Sequence, residues 1–177
     1  MINEVIKKNG ITYGVMIGIA SALVTTTIYA IDLNLFTSWW IGLLSLAINL
    51  TISIVLLSKT KKDLKGIFPF KEAFTTYFIA AVTGILISTF FNIILFNFID
   101  PAAKDTLNEL IIKYTAGMMQ KFGSPASAIN ETIAKMKETN PYSTVELLKG
   151  SVFAIVVSSI FGLIFAAFFK SKTTIQE

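Results

Sequence analysis

Four long apolar runs, at roughly 11–31, 36–58, 73–99 and 150–169, contain no Asp, Glu, Lys or Arg in their interiors. A hydrocarbon core of ~30 Å takes about 20 helical residues to cross, and each run is long enough. A soluble core helix of that length would rarely lack a charge. Open strands are excluded at membrane depth, because lipid cannot satisfy the polar groups of a sheet edge. The chain of 177 residues, 54 % of them hydrophobic, therefore reads as one all-α membrane domain with four spans. Lys7 and Lys8 precede the first run in the manner of a signal peptide. The run exceeds the 7–15 residues of an h-region, and bulky Ile28 stands where a cleavage site wants a small residue, so it is expected to remain as a span.

Each run carries small or weakly polar residues at every fourth position. The first has Gly10, Gly14, Gly18 and Ala22; the second has Ser45, Asn49 and Ser53. The third has Ala80, Gly84, Ser88 and Asn92; the fourth has Gly150, Ala154, Ser158, Gly162 and Ala166. In lipid, helices associate through close backbone approach and hydrogen bonds rather than through the hydrophobic effect. The stripe of Gly14, Gly18, Gly84, Ala154, Ser158 and Gly162 is accordingly expected to pack helix on helix. The alternatives are an oligomer interface or the lining of a lipid groove. Asn49 and Asn92, with Ser45, Ser53 and Ser88, are the candidate intramembrane polar contacts. An unsatisfied amide in hydrocarbon is costly, so both Asn side chains are expected to bond across helices, and otherwise to line a site for a headgroup or solute.

Charge sets the expected topology. The N-terminus, the 59–72 segment and the C-terminal tail hold nine Lys and four acids, a net +5. The 32–35 turn and the 100–149 segment hold six Lys and seven acids, a net −1. By the positive-inside rule both termini and the 59–72 loop face the cytoplasm. Lys59, Lys61, Lys62, Lys65 and Lys71 are then the topology signal, and secondarily candidate contacts to anionic lipid. Within that loop, Ile67-Phe68-Pro69-Phe70 is expected to dip into the headgroup region. Trp39 and Trp40 fall where an interfacial aromatic belt belongs, after a tight turn at Asp32-Leu33-Asn34.

Residues 102–140 are expected to form an amphipathic helical hairpin outside the membrane. Leu107, Leu110, Ile111, Tyr114, Met118 and Phe122 share one helical face, and Ile129, Ile133 and Met136 form a second. Asp100-Pro101 breaks the third span, Gly123 closes the first hairpin helix, and Ser124 with Pro125 is expected to cap the next. Glu131 and Lys135 make an i,i+4 pair. Thr144 starts a helix that runs on into the fourth span. The hairpin is too small for a core of its own, so it must rest on the bilayer, the spans or a partner.

This layout resembles one family. Phe70-Lys71-Glu72-Ala73-Phe74 opens the third span and Ile99-Asp100-Pro101 closes it. A Met-containing hairpin with Gly123-Ser124 follows, then a small-residue fourth span ending in Lys170-Ser171-Lys172. In order, these features are similar to the bacterial membrane family catalogued as domain of unknown function 4199, over about residues 7 to 172. Where that family often has a Gly after the Phe-x-x-Ala-Phe element, this chain has Thr75-Thr76-Tyr77. The resemblance implies a four-span protein of the inner membrane without an established activity. An association of such families with polyprenyl-linked glycosyl transfer is of the same implied kind.

The sequence holds no Cys and no His, which excludes disulfides and Cys/His metal centres. All fifteen basic residues are Lys, so the bidentate side chain that phosphate sites prefer is missing. No catalytic, cofactor or metal residues are assigned, and no nucleic-acid partner is expected. Enzyme chemistry would need Asp32 and Asp100 brought together over a cavity. The leading expectation is a non-enzymatic scaffold or accessory subunit, with membrane lipids and a membrane-protein partner or second copy as its contacts. The alternative is a protein that handles a lipid or small solute. A scaffold predicts a filled bundle, and a lipid handler predicts a groove that opens sideways.

Overall fold

Glycine spacing decides which helices touch. In the computed structural model, which describes residues 2–171, six α-helices are formed and no strand occurs among the described residues. They are α1 (Glu4–Ile31), α2 (Trp39–Asp63), α3 (Phe70–Ile94), α4 (Pro101–Lys121), α5 (Ala126–Glu138) and α6 (Thr144–Phe169). A π-helical turn, Leu95–Ile99, extends α3 and closes on a bond from the Asp100 amide to the Leu95 carbonyl. The helices α1, α2, α3 with its extension, and α6 are long and apolar enough to cross a membrane.

Three of the expected spans begin inside their helices, because local capping continues the helices into polar sequence. Asn3 accepts a bond from the Val5 amide and starts α1 seven residues before the apolar run. Ser143 caps α6 through the Glu146 amide. The third helix starts at Phe70, directly after Pro69. Span two begins later than expected, since Leu33–Thr37 winds as a 3-10 turn whose first bond is the Asp32 carboxylate accepting from the Asn34 amide.

Helix α3 is the hub: α1 lies along it most extensively, α6 packs on its other flank, and α2 touches both α1 and α3. The α1–α3 seam is the closest. A Cβ on Gly14 would stand 2.6 Å from Thr83 Cβ and 2.7 Å from the Ala80 carbonyl oxygen. A Cβ on Gly84 would stand 2.6 Å from Ile17 Cγ2, and one on Gly18 2.6 Å from Ile87. A side chain at these glycines would collide with Ile17, Thr83 and Ile87 of the facing helix, and at Gly14 and Gly84 with its backbone too. Helix α2 barely meets α6, and the bundle stays open between them.

Both ends are closed by clusters that no span contains alone. At the end carrying Asn3 and Ser171, Phe68 is fully buried with Leu57, Ala73, Tyr77 and Ala166. Its amide donates to Ser171 Oγ at 3.1 Å and its carbonyl accepts from the Ser171 amide at 2.8 Å. Of the 67–70 segment expected to dip into headgroups, Phe68 turns inward instead and plugs the bundle, while Ile67, Pro69 and Phe70 are exposed. Beside it, Asn9 donates to Thr60 Oγ1 (3.2 Å) and Asp63 (2.9 Å), tying α1 to α2. Lys172 of the expected closing motif lies outside the described residues.

At the other end, Tyr29, Phe36, Phe96 and Tyr142 meet edge to face, with centroids 4.9–6.4 Å apart. The base of α4 rests on this cluster through Ala103 and Leu107. The hairpin is therefore seated on the spans at its root. Leu107 is fully buried at that root and Ile129 of α5 is buried as well, but Phe122 at the tip is 80 % exposed. Gly123 closes α4 in the left-handed region (φ 74°), as expected. The expected Ser124 cap does not form: Pro125 occupies the cap position of α5, and no side-chain bond is made there. The Glu131–Lys135 pair forms at 2.7 Å.

Candidate functional site

The gap between α2 and α6 is a groove with α3 as its floor. Its main compartment, about 510 Å³, is walled by Leu46, Leu50, Phe153, Val157 and Phe161, with Asn49, Ser53, Tyr77 and Ser158 as polar points. A second, about 370 Å³, continues toward the hairpin past Ser88, Thr89 and Gly150 to Glu146. A third, about 170 Å³, reaches between α1 and α2 past Ser21 and Thr25. Asn49 lines all three. Leu46, Phe153 and Phe161 are exposed at the lips, so the groove faces the surrounding lipid.

The fourfold stripes divide between two roles. Gly10, Gly14, Gly18 and Gly84 form the α1–α3 seam, and Gly162 seats α6 against Tyr77 and Phe74. Ser45, Asn49 and Ser53 on α2, with Ala154 and Ser158 on α6, line the groove, and of these Ser158 also reaches Tyr77 on α3. Gly150 meets nothing within 4 Å. Of the packing stripe, Gly14, Gly18, Gly84 and Gly162 meet a neighbouring helix, while Ala154 and Ser158 line the groove, the alternative the spacing left open. The stripe on α2 has no span opposite it, because α6 leans onto α3 instead.

The expected interhelical bonds of the asparagines are also corrected. Asn49 Nδ2 donates to the Ser45 carbonyl at 2.8 Å, and Asn92 Nδ2 to the Ser88 carbonyl at 2.9 Å. Both partners lie four residues back on the same helix, which satisfies a donor without a neighbouring helix. The asparagine amide that bonds across helices is Asn9, and Asn97 reaches the Tyr142 carbonyl in the turn before α6 at 3.0 Å. Tyr77 and Ser158 form the one polar link from α3 to α6 in the groove, at 3.3 Å.

The lysine cluster is dispersed. Lys59 pairs with Asp63 at 2.9 Å, whose carboxylate Asn9 also holds. Lys62, Lys65 and Lys71 are exposed, Lys61 is half-buried, and none forms an ion pair among the described residues. Lys65 sits in the left-handed region (φ 54°) where α2 ends.

Asp32 and Asp100 are each engaged by a cap. The Asn34 amide and side chain hold the Asp32 carboxyl below the usual range. The Ala103 amide, aided by the Tyr29 hydroxyl at 2.8 Å, does the same for Asp100. Neither lines the groove. Tyr142, buried in the aromatic cluster, is pushed up to about 12. No group of three or more potential metal ligands occurs among the described residues.

Sequence reasoning missed the aromatic cluster and the Asn9–Thr60–Asp63 knot. A usable signal existed for the first: Tyr29, Phe36, Phe96 and Tyr142 all fall within a few residues of a span end.

Four apolar spans around one sideways groove define a multi-pass, all-helical membrane protein. The chain belongs to the family described as Protein of unknown function (DUF4199), whose model matches residues 12–171. No curated protein and no solved structure matches the chain.

Proposed function

We propose that the protein accommodates a lipid or small amphiphile in the α2–α6 groove and has no catalytic chemistry of its own. The observation that carries this reading is the groove itself, about 510 Å³ with apolar walls and a few polar points. That is the composition of a site that receives a small ligand. A scaffold would be expected to fill its bundle, so the groove favours lipid handling over the scaffold role. Nothing in the lining favours polyprenyl-linked glycosyl transfer over other lipid chemistry. The setting we propose is a bacterial inner membrane, with the termini and the 64–69 link in the cytoplasm and the hairpin outside. The net charge of +5 against −1 on the two sides supports that orientation.

Mass spectrometry of protein extracted in mild detergent tests the reading. Wild type should retain lipid in near-stoichiometric amount. Ala154→Phe, which fills the groove from its α6 wall, should lose it at unchanged thermal stability. Equal retention by both proteins would overturn the proposal.

A further inference from the structure

Within this groove, polar groups sit at mid-membrane depth and several keep open hydrogen-bonding capacity. Asn49 stands ten residues after Trp39, the start of α2 and its interfacial belt. At the helical rise that is about 15 Å, or half of a ~30 Å hydrocarbon core. Ser53 lies one turn further along α2, just past that midpoint. It is 5 % exposed, lines the main compartment, and its hydroxyl makes no hydrogen bond among the described residues. The Asn49 carbonyl oxygen has no partner either; only its amide is engaged, by the Ser45 carbonyl.

Outside the groove, Thr12, Ser58 and Thr83 likewise make no side-chain hydrogen bond among the described residues, but several span hydroxyls are satisfied locally. Thr26, Thr27, Thr51 and Thr75 each donate to the carbonyl four residues back on their own helix. Ser21, Ser45, Ser53 and Ser88, which face the groove compartments, make no such bond; Ser151, bonded to Leu148, is the exception. The groove therefore holds a set of neutral donors and acceptors whose capacity is open at mid-membrane depth.

Charge is missing from that depth. Glu146, at the hairpin mouth of the second compartment, is the one carboxylate in the lining, and Lys149 pairs with it at 2.6 Å. It lies two turns from Ala154, about 12 Å along α6. A phosphate head drawn down to Asn49 would find no cation and would carry a heavy desolvation cost. Phospholipid heads stay at the interface, where these groups cannot reach them.

We infer that the groove selects a neutral lipid whose uncharged head, bearing a carbonyl or hydroxyl oxygen, lies at mid-membrane depth against Asn49 and Ser53. The inference rests on the groove reading above and names its ligand class. The apolar walls at Leu46, Phe153 and Phe161 take the tail, and the open lips let it enter from the bilayer.

The test reconstitutes the protein in phosphatidylcholine–phosphatidylglycerol nanodiscs. One arm adds a few mole per cent of a long-chain quinone as the carbonyl head, and the other adds 1,2-dioleoylglycerol as the hydroxyl head. Bound lipid is counted by native mass spectrometry for wild type, Ser53→Ala, Asn49→Leu and Ala154→Phe, with thermal midpoints as the folding control. One neutral lipid should be enriched on wild type. Ser53→Ala should weaken it about fivefold, the size of one neutral hydrogen bond, Asn49→Leu should weaken it further, and Ala154→Phe should abolish it. The arm that shows enrichment identifies the head. If phospholipid is retained instead, insensitive to Asn49→Leu but lost in Ala154→Phe, the groove stands and the neutral-head inference falls. If Ala154→Phe changes nothing, bulk annular lipid alone is bound and both readings fall.

Discussion

Gly14 and Gly42 are the same residue type in the same kind of helix, yet only one of them is irreplaceable. Gly14 faces the α3 backbone, with the Ala80 carbonyl 2.7 Å from where a Cβ would be, while Gly42 has nothing within 4 Å. Gly14→Ala must force α1 and α3 apart, an overpacking loss of about 1–3 kcal/mol. Gly42→Ala should cost nothing and gain slightly in helix propensity. Thermal unfolding in detergent separates the two, and a Gly14→Ala midpoint equal to wild type would contradict the seam. The fourfold spacing was readable from the chain, because small residues recur on one helical face. Which stripe closes on a neighbour was not, since spacing along one helix carries no information about what stands opposite. Asn49 shows the same limit: its depth was legible, but its amide found a carbonyl on its own helix rather than on another.

Among the elements, the spans were legible from length and apolarity, and their ends only approximately, because caps such as Asn3 and Ser143 extend helices into polar sequence. The inward turn of Phe68 in the 64–69 link was not legible, for a physical reason. An apolar tetrapeptide beside a membrane has two places to go, and only the packed structure shows that Phe68 enters the bundle. Phe68→Ala should leave a cavity there and destabilise by about 3–5 kcal/mol, measured as a lowered unfolding midpoint. The root of the hairpin has a pH dependence of defined sign. Asp100, whose carboxyl caps α4, and Asp32, which caps the 3-10 turn, are held below their ordinary value of 3.8. Their folded-state values are depressed, so the stabilisation is present above about pH 4 and is lost as pH falls through the lowered values. Hydrogen exchange of the α4 amides should rise on the acid side. In Asp100→Asn that acid-dependent rise should be much reduced; an undiminished rise would remove Asp100 from the account.

Across the whole molecule, both described ends of the chain and the 64–69 link gather at one pole, and the hairpin stands at the other. The chain has no cysteine, so single cysteines report sidedness without background. A thiol placed at Ser127 should react with an impermeant maleimide applied to intact cells, and one at Lys65 only after the membrane is opened. The reverse pattern would invert the proposed orientation. Helix count and polarity were legible at this scale, whereas the partner of each helix was not. The tightest seam joins α1 to α3, which are not neighbours in sequence. That has a consequence for biogenesis. During synthesis α1 and α2 leave the ribosome before α3 exists, so the first two spans must wait in the bilayer as a loose pair. The third arrival recruits α1 through its glycines and leaves α2 at the margin, and the last span completes the outline of the groove. A nascent chain arrested after α2 would therefore lack its strongest contact, which makes the emergence of α3 the point at which the assembly commits.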